Sequence, residues 1–269
     1  MNADTVSSTP TTTWRAPRFW LGLQMTARLA VAALARLEVS GDVPQALRRG
    51  PLILAVNHIS PFDPIALTAA TRVRRIAPRI MATGGLFRAP VVGAAMRASG
   101  HIRVDRRTAN AGDALLVAAD AVRESVVMVY PEGRIGLDPT MWPERGRTGT
   151  ARLAFASGAP VVPVAQWGAH EVIPYAASFG GVVAALAKSV WRRPTIKVHF
   201  GAPIDLSDLS PGLPGAAQRA TDRIIEGLTE TLAVIRQDEL DGPRFVDPTR
   251  PADLSRRYRR RPTEGRDPC

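Results

Sequence analysis

The sequence has few of the residues that several kinds of protein require. Its single cysteine is Cys269, the last of 269 residues, which excludes a disulfide framework and a thiolate metal site and fits a reducing, cytoplasmic setting. No group of His, Cys and acidic residues has the spacing of metal ligands, so we expect no metal and no cofactor. Glycine-rich nucleotide loops and the G-x-S-x-G elbow of serine hydrolases are missing as well.

Lysine is also scarce, because Lys188 and Lys197 are the only ones, yet abundant arginine gives a formal net charge of +11. This balance favours polyanionic partners, namely nucleic acid, an anionic membrane surface or phosphorylated substrates. Aromatic residues make up only 6% of the chain and do not interleave with basic ones as in single-strand binding platforms. No recognised nucleic-acid-binding module is present, so we expect no nucleic-acid partner.

The chain divides into four regions. Residues 1–13 are polar and lack the positive start of a signal peptide, which predicts a disordered N-terminus. Residues 14–37 form an amphipathic segment, and residues 38–237 can form one large domain. Residues 238–269 are rich in Pro, Asp and Arg and predict a basic, disordered tail. Its arginine cluster at 256–261 is either simply solvated or attracted to anionic headgroups.

Residues 14–37 mix apolar and aromatic residues with arginine. A spanning helix needs about 20 mostly apolar residues, whereas Gln24 and Arg28 lie near the middle of this segment. The pattern favours a helix that lies in the membrane interface, with Trp14 and Trp20 at the level of the lipid headgroups. The alternative is a helix packed on the soluble domain.

Apolar runs alternate with helical patterns along the rest of the chain. Strands are predicted at 37–41, 52–56, 79–82, 100–106, 126–130, 160–165 and 195–200. Helices are predicted at 64–70, 87–99, 109–124, 149–157, 178–190 and 216–236. Strands that alternate with helices indicate an α/β fold with a central, largely parallel sheet flanked by helices.

The stretch between the strand at 52–56 and the next helix reads Asn-His-Ile-Ser-Pro-Phe-Asp. Loops at the carboxyl ends of buried strands often carry chemistry, and His58 can accept and return a proton near neutral pH. Asp63 can hold the imidazole in one tautomer. An alternative is a plain helix start, with Ser60 as the N-cap, Pro61 in the first turn and Asp63 as the capping-box acid. Both can hold at once.

Two further strand ends are expected at the same edge of a parallel sheet. The strand at 126–130 runs into Pro-Glu-Gly-Arg, which contains Glu132, Gly133 and Arg134. The strand at 100–106 ends in Arg106. A base, an acid, a glycine turn and two arginines suit the deprotonation of a hydroxyl group on a phosphorylated substrate. By contrast, His101 and His199 lie in alternating strand patterns typical of structural or surface residues, and His170 is left without a predicted role.

Four motifs in order make the chain resemble the glycerolipid acyltransferase family, of the 1-acylglycerol-3-phosphate acyltransferase type. They are N-H-x4-D at 57–63, a Gly-to-Arg strand at 100–106, a strand followed by P-E-G at 129–133, and an apolar run around a proline at 161–164. The resemblance covers about residues 37–205 and implies acyl transfer without an acyl-enzyme intermediate.

The resemblance also implies roles for particular residues. His58 acts as general base on the acceptor hydroxyl, Asp63 orients it, and the acyl donor is a thioester of coenzyme A or acyl carrier protein. Substrate binding is expected from Asn57, Arg106, Glu132, Gly133 and Arg134. The implied acceptor is 1-acyl-sn-glycerol 3-phosphate, the implied product is phosphatidic acid, and the implied location is the cytoplasmic face of the membrane, in peripheral or monotopic form.

The sequence departs from the family pattern at three positions. The family's third motif usually continues P-E-G-T-R, whereas Arg134 and Ile135 follow the glycine here, and Thr83 lies in a segment where the family commonly has a lysine. These positions concern acceptor recognition, so the same chemistry on a different lipid acceptor stays open. A non-catalytic protein that binds anionic lipid is the alternative from another class.

Overall fold

The structure is a computed structural model that describes residues 14–104 and 111–250, with the side chains of 111–114 left aside. Within these ranges, seven strands form one sheet: β1 (Arg36–Gly41), β2 (Leu52–Val56), β3 (Arg79–Thr83), β4 (Ile102–Val104), β5 (Val126–Val129), β6 (Val161–Trp167) and β7 (Thr195–Phe200). The strand order is β1-β7-β6-β2-β5-β3-β4. All pairs are parallel except β6 with β7. This confirms the predicted α/β fold with a largely parallel sheet.

Helices cover both faces of the sheet. They are α1 (Arg18–Leu34), α2 (Asp63–Val73), α3 (Gly84–Arg88), α4 (Pro90–Ala98), α5 (Ala111–Glu124), α6 (Gly149–Ser157), α7 (Ala169–Val172), α8 (Phe179–Arg192) and α9 (Ala216–Ile235), with a short 3-10 turn at Gln45–Leu47. One core cluster lies under α1, α2 and α8, and a second lies under α5, α6 and α9. The helix predicted at 87–99 is broken at Ala89, because Pro90 starts a new helix and restricts the residue before it to extended backbone.

The central strands explain why the sheet forms where it does. β2 is a continuous apolar run, β6 is apolar apart from Gln166, and every residue of both strands is buried. Strands with no exposed face are typical of a parallel sheet covered on both sides. Because β2, β5 and β6 run in the same direction, the loops that follow Val56, Val129 and Trp167 meet at one edge of the sheet, which we call the carboxyl edge.

The N-terminal segment packs on the domain and also exposes apolar residues. Trp20 and Gln24 are buried, the Gln24 amide donates to the carbonyl of Ile76 at 2.9 Å, and the Trp20 ring meets the His101 ring edge-on at 4.4 Å. The expectation of Trp20 at the lipid headgroups is therefore wrong. Phe19 and Leu29 point outward and are 49% and 64% exposed. Among the described residues, no helix is both long and apolar enough to cross a bilayer.

The first part of the predicted disordered tail, residues 238–250, is ordered. Residues 238–250 pack against the domain, and the Asp247 side chain is buried and accepts a hydrogen bond from the Tyr175 amide at 2.7 Å. Buried polar side chains of this kind are stable only when they are hydrogen-bonded, so they tie the segment down. The remaining residues of the predicted tail and the predicted disordered start, 1–13, lie outside the described residues.

Candidate active site

The loop after β2 is fixed to β6 by one side chain. The Asn57 amide donates to the Gln166 carbonyl at 2.9 Å and accepts from the Gln166 backbone N–H at 2.8 Å. Asn57 has no exposed surface. Both of its polar groups are thus used within the protein, and its position gives it a role in holding the loop instead of the predicted contact with substrate.

His58 and Asp63 form the pair that the sequence predicts. Nδ1 of His58 lies 2.7 Å from Oδ2 of Asp63, whose carboxylate is completely buried, while the histidine side chain keeps 17% of its surface exposed. A carboxylate beside Nδ1 fixes the proton there, which leaves Nε2 as the acceptor nitrogen. The ring also stacks on Tyr130, with centroids 4.2 Å apart and an angle of 21° between the planes. The imidazole is therefore oriented from two sides.

Backbone groups hold the carboxylate itself. Oδ2 of Asp63 accepts from the N–H groups of Ile59 at 2.6 Å and Ser60 at 2.9 Å. The bond to Ser60 is the one that the capping-box interpretation predicts. The helix, however, begins at Asp63 after Phe62, and Pro64 occupies its first turn. The expectations that Ser60 is the N-cap and that Pro61 opens the helix are therefore wrong.

Ser60 has a different task in the loop. Its hydroxyl donates to the carbonyl of Ile173 at 2.7 Å and accepts from the N–H of Phe62 at 3.0 Å. The residue is fully buried, so the hydroxyl is not available as a nucleophile. Ser60 joins the His58 loop to the segment that follows α7.

The turn after β5 contacts the backbone of His58 through Glu132. Glu132 is 5% exposed, and its carboxyl oxygens accept from the N–H groups of His58 at 3.4 Å and Glu144 at 3.0 Å. Burial raises its pKa to about 8, against the opposing effect of the hydrogen bond from the Glu144 backbone. Gly133 has φ of 72° and donates its N–H to the Tyr130 carbonyl at 2.9 Å. Glu132 and this N–H therefore build the turn, and the predicted contacts of Glu132 and Gly133 with substrate stay predictions.

Arginine side chains lie around this turn. Arg134 is exposed on the turn and pairs with Glu144 at 3.1 Å. Arg147 is also exposed, and its backbone N–H donates to the Pro131 carbonyl at 2.9 Å, which places it beside the turn. The predicted Arg106 lies outside the described residues. Arg134 and Arg147 thus place positive charge beside the turn that contains Glu132.

One buried arginine beside the His58 loop was not predicted from the sequence. Arg250 lies beyond α9, is 9% exposed, and donates to the carbonyls of Ile59, Gly136 and Asp138, the last two at 2.8 and 3.3 Å. It also lies 3.7 Å from the Asp247 carboxylate. A single guanidinium thus joins the His58 loop to the loop after Glu132. Its only sequence signal is an arginine between two prolines in a polar tail, which does not distinguish it from a solvated residue.

The other three histidines have structural environments. His101 accepts from the Ile80 N–H at 3.1 Å, and burial together with nearby Arg79 lowers its pKa to about 4. His199 lies 2.8 Å from the Ser40 hydroxyl. His170 is buried beside Trp167, and burial together with two arginines lowers its pKa to about 3. The structural interpretation of His101 and His199 is confirmed. In the described part of the chain, no cluster of three or more His, Cys, Asp or Glu could hold a metal.

The His–Asp pair lies on the loop after a buried strand of the seven-stranded sheet, within a part of the chain that has known relatives. A family model described as Acyltransferase matches residues 36–167, the part that contains β1 to β6, the His58 loop and the Glu132 turn. Residues 36–167 of this chain therefore belong to the acyltransferase family, which confirms the resemblance predicted from the motifs.

Comparison with solved structures agrees with the fold. The fold is similar to that of PlsC, the 1-acyl-sn-glycerophosphate (LPA) acyltransferase of Thermotoga maritima, with a TM-score of 0.56 and 19% identity, covering 78% of each chain. Among curated sequences, an uncharacterized protein of Mycobacterium tuberculosis is 28% identical over 233 residues, covering 73% of this chain and 61% of its own length. An uncharacterized protein of Mycobacterium leprae is 32% identical over 149 residues, covering 52% and 38%. The chain thus spans less than two thirds of these relatives.

Proposed function

We propose that the protein moves a fatty acyl group from an acyl thioester to the free hydroxyl of 1-acyl-sn-glycerol 3-phosphate, forming phosphatidic acid. The observation that carries the proposal is the His58–Asp63 pair: Nδ1 is held by a buried carboxylate at 2.7 Å while the ring keeps an exposed edge. An imidazole fixed in this way presents Nε2 as a base for a hydroxyl proton. The acyltransferase family of residues 36–167 supports this reaction class.

The reaction divides into simple steps at these atoms. Nε2 of His58 takes the proton of the acceptor hydroxyl as its oxygen attacks the thioester carbonyl. The buried Asp63 carboxylate stabilises the imidazolium that results, because the two charges lie close together in a site screened from water. The tetrahedral intermediate then expels the thiolate, which receives the proton from His58. No cofactor is needed, since coenzyme A or acyl carrier protein enters as part of the co-substrate.

We assign binding of the acceptor phosphate to the arginines beside the turn. Arg134 and Arg147 are exposed, and guanidinium groups bind phosphate oxygens in a bidentate manner. Two observations favour a second acceptor. Glu144 pairs with Arg134, and Thr83 carries no charge where the family commonly has lysine. A lysolipid with a smaller negative charge therefore stays as the alternative substrate. The buried His–Asp pair speaks against a non-catalytic lipid-binding protein.

We also propose that the protein works at the cytoplasmic face of the membrane as a peripheral protein. The outward side of α1 exposes Phe19, Met25 and Leu29, and no acidic residue occurs between Trp14 and Leu37. An apolar face flanked by arginine is typical of helices that lie on anionic bilayers. Since Trp20 and Val31 are part of the core, deleting the helix would disturb the fold. The paired substitution Met25→Ser with Leu29→Ser is therefore the better test, by sedimentation with anionic vesicles.

The experiment that tests the activity is a panel of lysolipid acceptors with one acyl-coenzyme A, followed by thiol release. We expect the highest rate with lysophosphatidic acid and a loss of at least a hundredfold in His58→Ala, with circular dichroism unchanged. Near-normal activity of His58→Ala contradicts the general-base role. Thiol release with a different lysolipid and not with lysophosphatidic acid supports the alternative acceptor.

A further inference from the structure

Helix α8 carries the most exposed aromatic residues of the described chain. Phe179 is 87% exposed and Trp191 is 80% exposed, and Val183 and Val190 between them are 53% and 56% exposed. Phe179, Val183 and Val190 are separated by four and seven residues, so they lie on one side of the helix, and Trp191 lies about 100° further round at the border of that side. We call this surface, defined by these four residues, the α8 stripe. Exposed apolar residues grouped in this way mark an interaction site.

The charged residues of α8 itself are all basic. Lys188 and Arg192 lie on the helix, and Arg193 comes directly after it. No acidic residue occurs between Val172 and Ile204, and Glu171, just before this range, is close enough to Arg192 for that charge to oppose the rise that burial causes in the Glu171 pKa. An apolar stripe with Trp and Phe on a helix whose charged residues are all basic is typical of a helix that lies in the interface of an anionic bilayer. The same charge repels a second copy of this face, which argues against a dimer through α8.

Both ends of α8 are fixed at the carboxyl edge, where His58 lies. Before α8, Ile173 accepts the Ser60 hydroxyl, and Tyr175 donates its N–H to Asp247. After α8, β7 begins at Thr195, beside the end of β6 at Trp167. The helix thus lies along the edge that holds the candidate active site. A bilayer in contact with α8 would bring lipid headgroups close to His58.

Helix α1 extends the same surface. The Arg193 guanidinium donates to the Ala32 carbonyl at 2.7 Å, so the C-terminal ends of α1 and α8 are neighbours. Leu29, one turn before Ala32, is 64% exposed. Both helices lie on the same face of the sheet, so the bilayer can contact them together.

We propose that α8 is a second membrane contact, which docks the protein on an anionic bilayer with the carboxyl edge toward the headgroups. This inference rests on the proposed function, because it gives a lipid acceptor a path to His58 along the bilayer surface. The α8 stripe lies outside the family match at 36–167 and is a property of this chain. Trp191 inserts among the acyl chains near the headgroups, and Lys188 and Arg192 contact lipid phosphates.

The test uses the full chain and vesicles of phosphatidylglycerol with phosphatidylcholine. Phe179→Ser combined with Trp191→Ser should lower the vesicle partition coefficient by about tenfold or more, because two large apolar side chains no longer enter the bilayer. The matched control is Leu116→Ser combined with Val117→Ser, two exposed apolar residues on α5 at the opposite face of the sheet. The control should partition like the unsubstituted protein. Equal partitioning of the α8 variant and the control would overturn the proposal.

Tryptophan fluorescence gives a second readout. Trp20, Trp142 and Trp167 are each 3% exposed and Trp14 is half-buried, whereas Trp191 is 80% exposed. Vesicles that contain brominated lipid should therefore quench the protein's fluorescence, and Trp191→Ser should remove most of that quenching. Quenching that persists in Trp191→Ser contradicts insertion of α8. Loss of a dimer in the α8 variant, with vesicle binding unchanged, would instead assign the stripe to a second copy of the chain.

An activity measurement separates this inference from the proposed function. With a short-chain lysophosphatidic acid kept below its critical micelle concentration, the α8 variant should turn over at the rate of the unsubstituted protein. With long-chain acceptor embedded in anionic vesicles, its rate should fall about as much as its partition coefficient. A different result is that the unsubstituted protein and the α8 variant both fail to act on either acceptor, while the α8 variant still binds vesicles more weakly than the control. In that case the docking surface is supported and the proposed reaction is contradicted.

Discussion

The Arg250 guanidinium donates to the backbone carbonyl of Ile59, the residue directly after His58. The same group reaches the carbonyls of Gly136 and Asp138 in the loop after Glu132. Three carbonyls from two loops thus share one buried cation. Arg250 acts through backbone carbonyls and takes no part in the proton transfer at His58, so we regard it as a positioning residue.

Arg250→Ala should lower kcat by about tenfold or more while changing the KM for acyl-coenzyme A little, because the loss of the three hydrogen bonds frees the His58 loop. Arg250→Lys should not restore activity, since an ammonium group cannot match the planar fork of donors. The matched control is Arg244→Ala, an arginine that is 70% exposed and pairs with Asp238. Equal kcat values for the two alanine variants contradict the positioning role.

The raised pKa of Glu132 predicts that the stability of the protein depends on pH. Its pKa is raised by burial from 4.5 to about 8, so the folded state binds one proton that the unfolded state has already lost between these values. The free energy of unfolding should therefore fall as pH rises from about 4.5 to 8, by up to about 1.4 kcal/mol per pH unit. Urea denaturation across this range should give a shallower slope for Glu132→Gln. An unchanged slope would contradict the assignment to Glu132.

Gly136 leaves no room for a side chain beside Glu132. A Cβ atom added there would lie 2.9 Å from the Glu132 carboxyl oxygen and 3.5 Å from the His58 carbonyl. Gly136→Ala should cost about 1–3 kcal/mol of stability and lower kcat, because Glu132 and the His58 loop must move. Gly149→Ala is the control, since a Cβ there meets nothing within 4 Å. Thermal unfolding and steady-state kinetics compare the two, and equal behaviour would contradict the crowding argument.

The Arg134–Glu144 pair makes a prediction about the acceptor. Glu144→Gln removes the competing carboxylate 3.1 Å from the guanidinium and should lower the KM for lysophosphatidic acid several-fold. Arg134→Ala should raise that KM with kcat changed by less than about twofold. Arg152→Ala, an exposed arginine on α6, is the control. A KM that responds to Arg152 as strongly as to Arg134 would show a general charge effect on the substrate.

The local part of the site was predictable from the sequence, and the long-range part was not. His58, Asp63 and their spacing follow from a buried strand that ends in a polar turn, and the structure places the two side chains 2.7 Å apart. The sequence places Glu132 at the correct strand end, but its burial and its hydrogen bonds from the backbone of His58 and Glu144 depend on two loops that local patterns do not bring together. The burial of Asn57 likewise could not be predicted locally, because its hydrogen-bond partner Gln166 is 109 residues away.

The predicted start of a helix was wrong where local sequence preferences competed with tertiary contacts. Ser60 and Pro61 both suit a helix start, yet the helix begins at Asp63, because the Ser60 hydroxyl is engaged by the segment after α7. Trp20 has the composition of an interfacial aromatic residue, but it packs against His101 inside the domain. Tertiary contacts decided both cases, and no pattern within one segment contains them.

The first strand of the sheet pairs along its length with the last one. Ser40 of β1 lies opposite His199 of β7, 159 residues further along the chain. During synthesis, α1 and β1 therefore emerge long before the strand that completes their hydrogen bonds, and closing so long a loop is the slow kind of folding step. The edge of the sheet that β1 forms can therefore be completed only after β7 has been made, which makes it a late part of the fold.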